Sequence, residues 1–257
     1  MQRIKRTLYQ RLGFIVVAVL GSAAHAGPTA YVVEDDTDRL YRFDLDTLQT
    51  TLVGQIGVEF VGDIAALSDG TIAGQHDADP GYFLIDGQDA SLLGQGSNTG
   101  PFIGDLDAFG DRLFAYSSGA LREIDPLTGQ RTALSTLAIP THVNSLAMTS
   151  ASEAFFYSIG DVGLRELYRV DFTSGSVDLI RSATDLSFGL RSLDYFDGVL
   201  YAMDRFGTLS IVDQTDGSFT EIGQIGISNV GGFTLVPAPA SAALLACAGI
   251  AACRRRR

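Results

Sequence analysis

Two aspartates, an asparagine, two serines and an arginine are the residues of this 257-residue chain best placed to act together. Asp63-Ile-Ala-Ala-Leu67 and Asp105-Leu-Asp-Ala-Phe109 are short apolar runs that open on a carboxylate. Ser145-Leu-Ala-Met148, Ser192-Leu-Asp-Tyr195 and Gly232-Phe-Thr-Leu235 repeat the pattern with a hydroxyl or a glycine in front. Just before each opening residue stand Gly62, Gly104, Asn144, Arg191 and Gly231. If the five runs are strands around one axis, Asp63, Asp105, Asn144, Ser145, Arg191 and Ser192 converge at one mouth. Such a set coordinates a hard cation such as Ca²⁺ through oxygen, or hydrogen-bonds a small polar ligand. It suits a water-filled channel of satisfied polar groups equally well. A pair of carboxylates also permits glycoside hydrolysis, with Asp63 and Asp105 as the candidates.

Other chemistry is sparse. His76 and His142 are the two histidines outside the N-terminal leader, and both cysteines, Cys247 and Cys253, sit near the C-terminus. No Gly-x-Ser-x-Gly elbow and no His-Glu-x-x-His metal pattern occurs. Gly94-Gln-Gly-Ser-Asn-Thr-Gly100 is glycine-rich, but no helical pattern follows to hold a phosphate. The acidic stretches Asp35-Asp36-Thr37-Asp38 and His76-Asp77-Ala78-Asp79 lack the spacing of a calcium loop.

The elements that must position these residues come from a repeat. Leu40-Tyr-Arg-Phe-Asp44, Tyr82-Phe-Leu-Ile-Asp86, Leu121-Arg-Glu-Ile-Asp125, Leu167-Tyr-Arg-Val-Asp171 and Leu209-Ser-Ile-Val-Asp213 align, with their aspartates 42, 39, 46 and 42 residues apart. A turn follows each aspartate, as in Asp125-Pro-Leu-Thr-Gly129, so these carboxylates read as turn acceptors rather than metal ligands. Beyond each turn lies another apolar-rich strand, and a fourth series runs through Thr71-Ile-Ala-Gly74, Leu113-Phe-Ala-Tyr116, Ala154-Phe-Phe-Tyr157 and Val199-Leu-Tyr-Ala202. The fifth member of that series is missing after Leu235 but stands at the front, as Ala30-Tyr-Val-Val33. Four strands per ~42 residues without helical periodicity predict an all-β, five-bladed β-propeller. The phase predicts closure by N-terminal strands beside the C-terminal inner strand. The units resemble NHL-type propeller repeats, and no Trp-Asp signature marks them as WD40.

Both ends read as addresses. Arg3, Lys5, Arg6 and Arg11 precede an apolar stretch, and Ala24-His25-Ala26 predicts signal-peptidase cleavage before Gly27. The expected organisation is a leader over 1–26, one propeller domain over 27–236 and a tail over 237–257. In that tail Val236, Pro237, Ala238 and Pro239 lead into a fourteen-residue, largely apolar segment, which stops at Arg254, Arg255, Arg256 and Arg257. As a helix the apolar segment spans roughly 21 Å, short of the ~30 Å hydrocarbon core, and the arginines resist translocation.

That three-part order resembles the PEP-CTERM sorting signal, although Ala238 stands where the common motif has Glu. The resemblance implies an exosortase-like processing enzyme, transient anchoring in the inner membrane and release to the cell surface. The leader implies the Sec translocon and signal peptidase as further partners.

Charge narrows the class. The span between leader and tail holds ten arginines, no lysine and all thirty carboxylates, a formal charge of −20. Nucleic acid would be repelled. With no cysteine in that span, stability rests on packing alone. The expected function is a monomeric, exported, non-enzymatic binding or scaffold protein of the cell surface or matrix. The alternatives are a hydrolase acting on extracellular polysaccharide and a lectin-like module, and the absence of Trp weakens both.

Overall fold

The computed structural model describes residues 28–76, 81–96, 104–117, 119–136, 143–159, 164–184 and 189–236. The leader, its cleavage site and the tail from Pro237 onward lie outside the described residues, as does His142. Within them the chain is entirely β, with no helix long and apolar enough to cross a membrane.

Twenty strands form five antiparallel four-stranded sheets. The second blade holds β4 (Val61–Ala66), β5 (Thr71–His76), β6 (Tyr82–Asp86) and β7 (Leu92–Gln95). The third holds β8 (Asp105–Phe109), β9 (Arg112–Ser117), β10 (Ala120–Ile124) and β11 (Arg131–Thr136). The fourth holds β12 (Val143–Met148), β13 (Glu153–Ile159), β14 (Arg165–Asp171) and β15 (Ser176–Ala183). The fifth holds β16 (Leu190–Phe196), β17 (Val199–Asp204), β18 (Thr208–Val212) and β19 (Phe219–Gln224). The first blade is split. N-terminal β1 (Thr29–Glu34), β2 (Arg39–Asp44) and β3 (Thr50–Gln55) pair onto the last strand, β20 (Val230–Val236).

The first strands of the blades contact one another in the cyclic order β20, β4, β8, β12, β16 and back to β20. The ring is a closed five-bladed propeller. Ala30 faces Leu235, Val32 faces Phe233 and Val33 faces Gly232 across the closing pair, the seam that the repeat phase predicts.

The core is five apolar wedges, one between each pair of neighbouring blades. Val32, Phe43, Met203, Leu209 and Phe233 fill the wedge between the fifth and first blades. Val33, Leu40, Val61, Ile72 and Phe83 fill the next. Successive side chains on a strand point to opposite faces, so Val32 and Val33 serve different wedges. The inner strands of each blade are therefore apolar on both faces, and exposure rises toward the outermost strand.

The repeated aspartates behave as turn acceptors. Asp44 Oδ1 accepts from the backbone N–H of Asp46 and Thr47 at 3.0 and 2.9 Å, and Asp125 Oδ1 from Leu127 and Thr128 at 2.8 and 3.1 Å. Asp86, Asp171 and Asp213 do the same. Gly129, Gly175 and Gly217 then take the left-handed backbone that closes the turn, whereas Leu48 and Ala90 hold it in the first two repeats.

Candidate functional site

Asp63, Asp105, Ser145 and Ser192 come together on the axis, as the first inward-facing layer of the inner strands. All four are buried. The fifth position is Gly232, and its lack of a side chain has a steric reason. A Cβ there would lie 2.4 Å from Asp63 Oδ1 and 2.7 Å from Asp63 Cα. The space that a side chain would fill lets Ser192 Oγ reach Asp63 Oδ1 at 3.3 Å, across the first blade.

Asn144 and Arg191 do not join that layer. The register slips by one residue between Val61 and Asp63, between Val143 and Ser145, and between Leu190 and Ser192. Gly62, Asn144 and Arg191 are thus the extra residues of β-bulges, which re-aim the following side chain. Arg191 turns to the rim, where its guanidinium lies 3.8 Å from Asp35.

Two positions further along the inner strands is a second layer: Asp107, Asp194 and Thr234, with Ala65 and Ala147 completing the ring. These polar residues lie outside the opening-residue pattern of the inner strands. The available signal was period two, because a polar residue at i and i+2 of one strand marks one face. Asp105 with Asp107, and Ser192 with Asp194, carry that mark.

Most of these side chains stitch one blade to the next. Asp63 Oδ2 accepts from Leu106 N at 3.1 Å, Ser145 Oγ from Leu193 N at 2.5 Å and Thr234 Oγ1 from Ala66 N at 3.0 Å. Asp107 Oδ2 accepts from Met148 N, and Asp194 Oδ2 from Leu235 N, each at 2.5 Å. The inner edges of the sheets have backbone N–H groups that no strand pairs, and the neighbouring blade supplies the acceptor. The repeat makes this possible, since it puts an equivalent residue one blade away.

Electrostatics set these four carboxyls apart from the surface ones. Burial pushes Asp63 up to about 6 and Asp194 up to about 7. Burial also raises Asp105 and Asp107 well above the ordinary range, helped by the charges of Asp63 and Asp194 respectively. No basic side chain is among the groups that set these shifts. The interaction between Asp63 and Asp105 lowers the first and raises the second, so Asp105 holds its proton to higher pH. Asp105 Oδ2 is buried without a hydrogen-bond partner. Among the described residues no three His, Cys, Asp or Glu side chains gather as metal ligands.

The packing around Gly232 gives a direct test. Gly232→Ala should destabilise the propeller by about 3 kcal/mol, the upper end for overpacking, because backbone as well as a side chain must move. Gly94→Ala, with open space around its Cβ site, should melt within about 1 °C of the parent. Equal melting temperatures for the two variants would mean that the inner ring is looser than these distances imply.

No protein-family model matches the chain, and no curated protein matches it. Among solved structures 1175 chains match, so the fold is widely shared. One of them is a chain of the nidogen/laminin complex, similar with a TM-score of 0.56 at 8% sequence identity, over 82% of this chain and 99% of that one. At that identity the likeness establishes the propeller fold, and function has to be argued from the site.

Proposed function

We propose that this chain is an exported binding or scaffold protein of the cell surface or extracellular matrix, delivered by its leader and sorted through its C-terminal tail. The observation that carries the binding reading is the use to which the axial carboxylates are put. Asp63 and Asp105, the pair a glycosidase would need, are only 3% and 1% exposed, and Asp63 is tied to the third blade's backbone. A polysaccharide chain threaded over the mouth would not reach them. The similar propeller belongs to a complex of two proteins, which accords with a fold used for association. Its partner here is a surface protein or an extracellular polysaccharide.

The sorting reading rests on Val236-Pro-Ala-Pro239, the short apolar segment and Arg254–Arg257. Mass spectrometry of protein released from the cell surface should find a chain that begins at Gly27 and ends near Val236. A released species that still carries Cys253 and the four arginines would make the tail a plain anchor. The binding reading has a separate test, a glycan array run beside a reducing-sugar assay on the released protein. Sugar release that Asp63→Asn abolishes would replace the scaffold by a hydrolase.

A further inference from the structure

The inner strands end, at the face opposite the bulges, around a pocket of about 180 Å³ to which all five blades contribute. That is below the roughly 300–1,000 Å³ of sites that enclose drug-sized ligands, so its occupant is small. Asp107 and Asp194 line it, held in place by Met148 N and Leu235 N, and Thr234 stands beside Asp194 in the ring. A carboxylate accepts about four hydrogen bonds, so both retain lone pairs for a ligand. None of the lining residues is basic. Phe109, Tyr195 and Phe196 supply aromatic walls, and Phe109, 42% exposed, is at the lip.

The chemistry of this lining selects its ligand. An anion would meet two carboxylates and no cation. A neutral polyol hydrogen-bonds the protonated acids but neutralises neither of them once it ionises, so it gains nothing from their charge. Ca²⁺ wants six to eight oxygens, whereas the third ligand group is missing among the described residues and much of the wall is carbon. An ammonium group needs only the two carboxylates, and its skeleton gains from aromatic walls through dispersion and cation–π attraction. The −20 formal charge of the domain also draws cations toward the surface.

We propose that the pocket binds a small organic ammonium ion, its N–H groups shared by Asp107 and Asp194 and its carbon skeleton lying against Phe109, Tyr195 and Phe196. The site does not depend on how the tail is processed, and neither experiment above bears on it. Binding sets a proton balance as well. Burial makes Asp107 and Asp194 hold protons to higher pH than ordinary carboxyls in the empty site. A bound cation stabilises their charged forms, so protons leave to the buffer as it enters.

The test is calorimetry of benzylammonium chloride with the full-length protein in mild detergent, at about pH 7.5, in two buffers of different ionisation enthalpy. One-site binding with net proton release is the expected result, weakening at least about tenfold at about pH 5, where the carboxyls stay protonated. Benzyl alcohol, the neutral counterpart, should not bind. Asp107→Asn and Asp194→Asn should each weaken binding by about tenfold or more, the effect of removing one partner of a desolvated charge pair. Phe109→Ala, a change at the exposed lip that leaves the fold intact, should weaken it by about threefold. Asp178→Asn, which removes the same formal charge from an exposed position on β15, should leave it unchanged. Absent binding, equal binding of the alcohol, binding without proton release, or displacement by Ca²⁺ would each overturn the proposal.

Discussion

Acidifying the propeller from about pH 8 to about pH 5 should raise its Tm by roughly 10 °C, the reverse of ordinary acid denaturation. The cause is the axial cluster. An unfolded Asp ionises near 3.8, whereas folded Asp63 holds its proton to about 6 and folded Asp194 to about 7. Through that window the folded state binds more protons than the unfolded one, so stability falls as pH rises. Stability is full below about pH 4 and is lost as the pH passes the folded values. Each raised group is worth up to ~1.4 kcal/mol per pH unit. Between about pH 5 and 8 the two together lose on the order of 4 kcal/mol, and a domain of this size shifts by about 2–4 °C per kcal/mol. Asp105 and Asp107 act in the same direction.

The net charge of the domain also favours the acidic side, so slope alone does not assign the effect. Asp194→Asn does. The amide oxygen still accepts from Leu235 N, yet it never ionises. This variant should melt about 5 °C higher than the parent near pH 8 and show a flatter profile between about pH 6 and 8. Asp178→Asn removes the same formal charge from an exposed position on β15 and should leave the slope as it was. Parallel profiles for the parent and Asp194→Asn would show that the axial carboxyls do not govern stability.

What was legible in the sequence was whatever repeats. Five aspartate-led turns gave the blade period, and the strand order followed from where each apolar run fell between turns. Even the seam was readable, because Ala30–Val33 matches the second-strand series while nothing follows Leu235 to complete it. The inner mouth was half legible. Asp63, Asp105, Ser145 and Ser192 share a layer because they occupy one repeat position. Asn144 and Arg191 were expected beside them, but a bulge adds one residue without changing the composition of the strand, and pattern alone does not show it. Asp107 and Asp194 were hidden for another reason. Inside apolar runs they read as interruptions, and only the cyclic arrangement of blades reveals that each meets the next blade's backbone. Their raised proton affinity is a property of the closed ring, since no single repeat buries them.

Removing residues 28–34 should abolish the monomeric propeller altogether. This segment contains β1, which lies between β20 and β2 and is paired to both over its whole length. Ala30, Val32 and Val33 are completely buried, and they feed two wedges at once. Without them β20 and β2 become facing, unpaired edges, and such edges recruit other chains. Soluble aggregates or inclusion in the pellet are therefore expected, with no cooperative melt. A point change makes the same case without shortening the chain. Val32→Asp puts an unpaired charge among Phe43, Met203 and Phe233 and should cost on the order of 4 kcal/mol, whereas Thr29→Ser at the strand's start should cost less than about 1 kcal/mol. Because the seam is non-covalent, a synthetic peptide of residues 28–36 added to the truncated protein should restore part of the β-sheet signal and the monomer peak, by strand addition to the open gap. A truncated protein that remains monomeric with an unchanged Tm would show that the ring is held by its wedges alone and that the closing strand is dispensable.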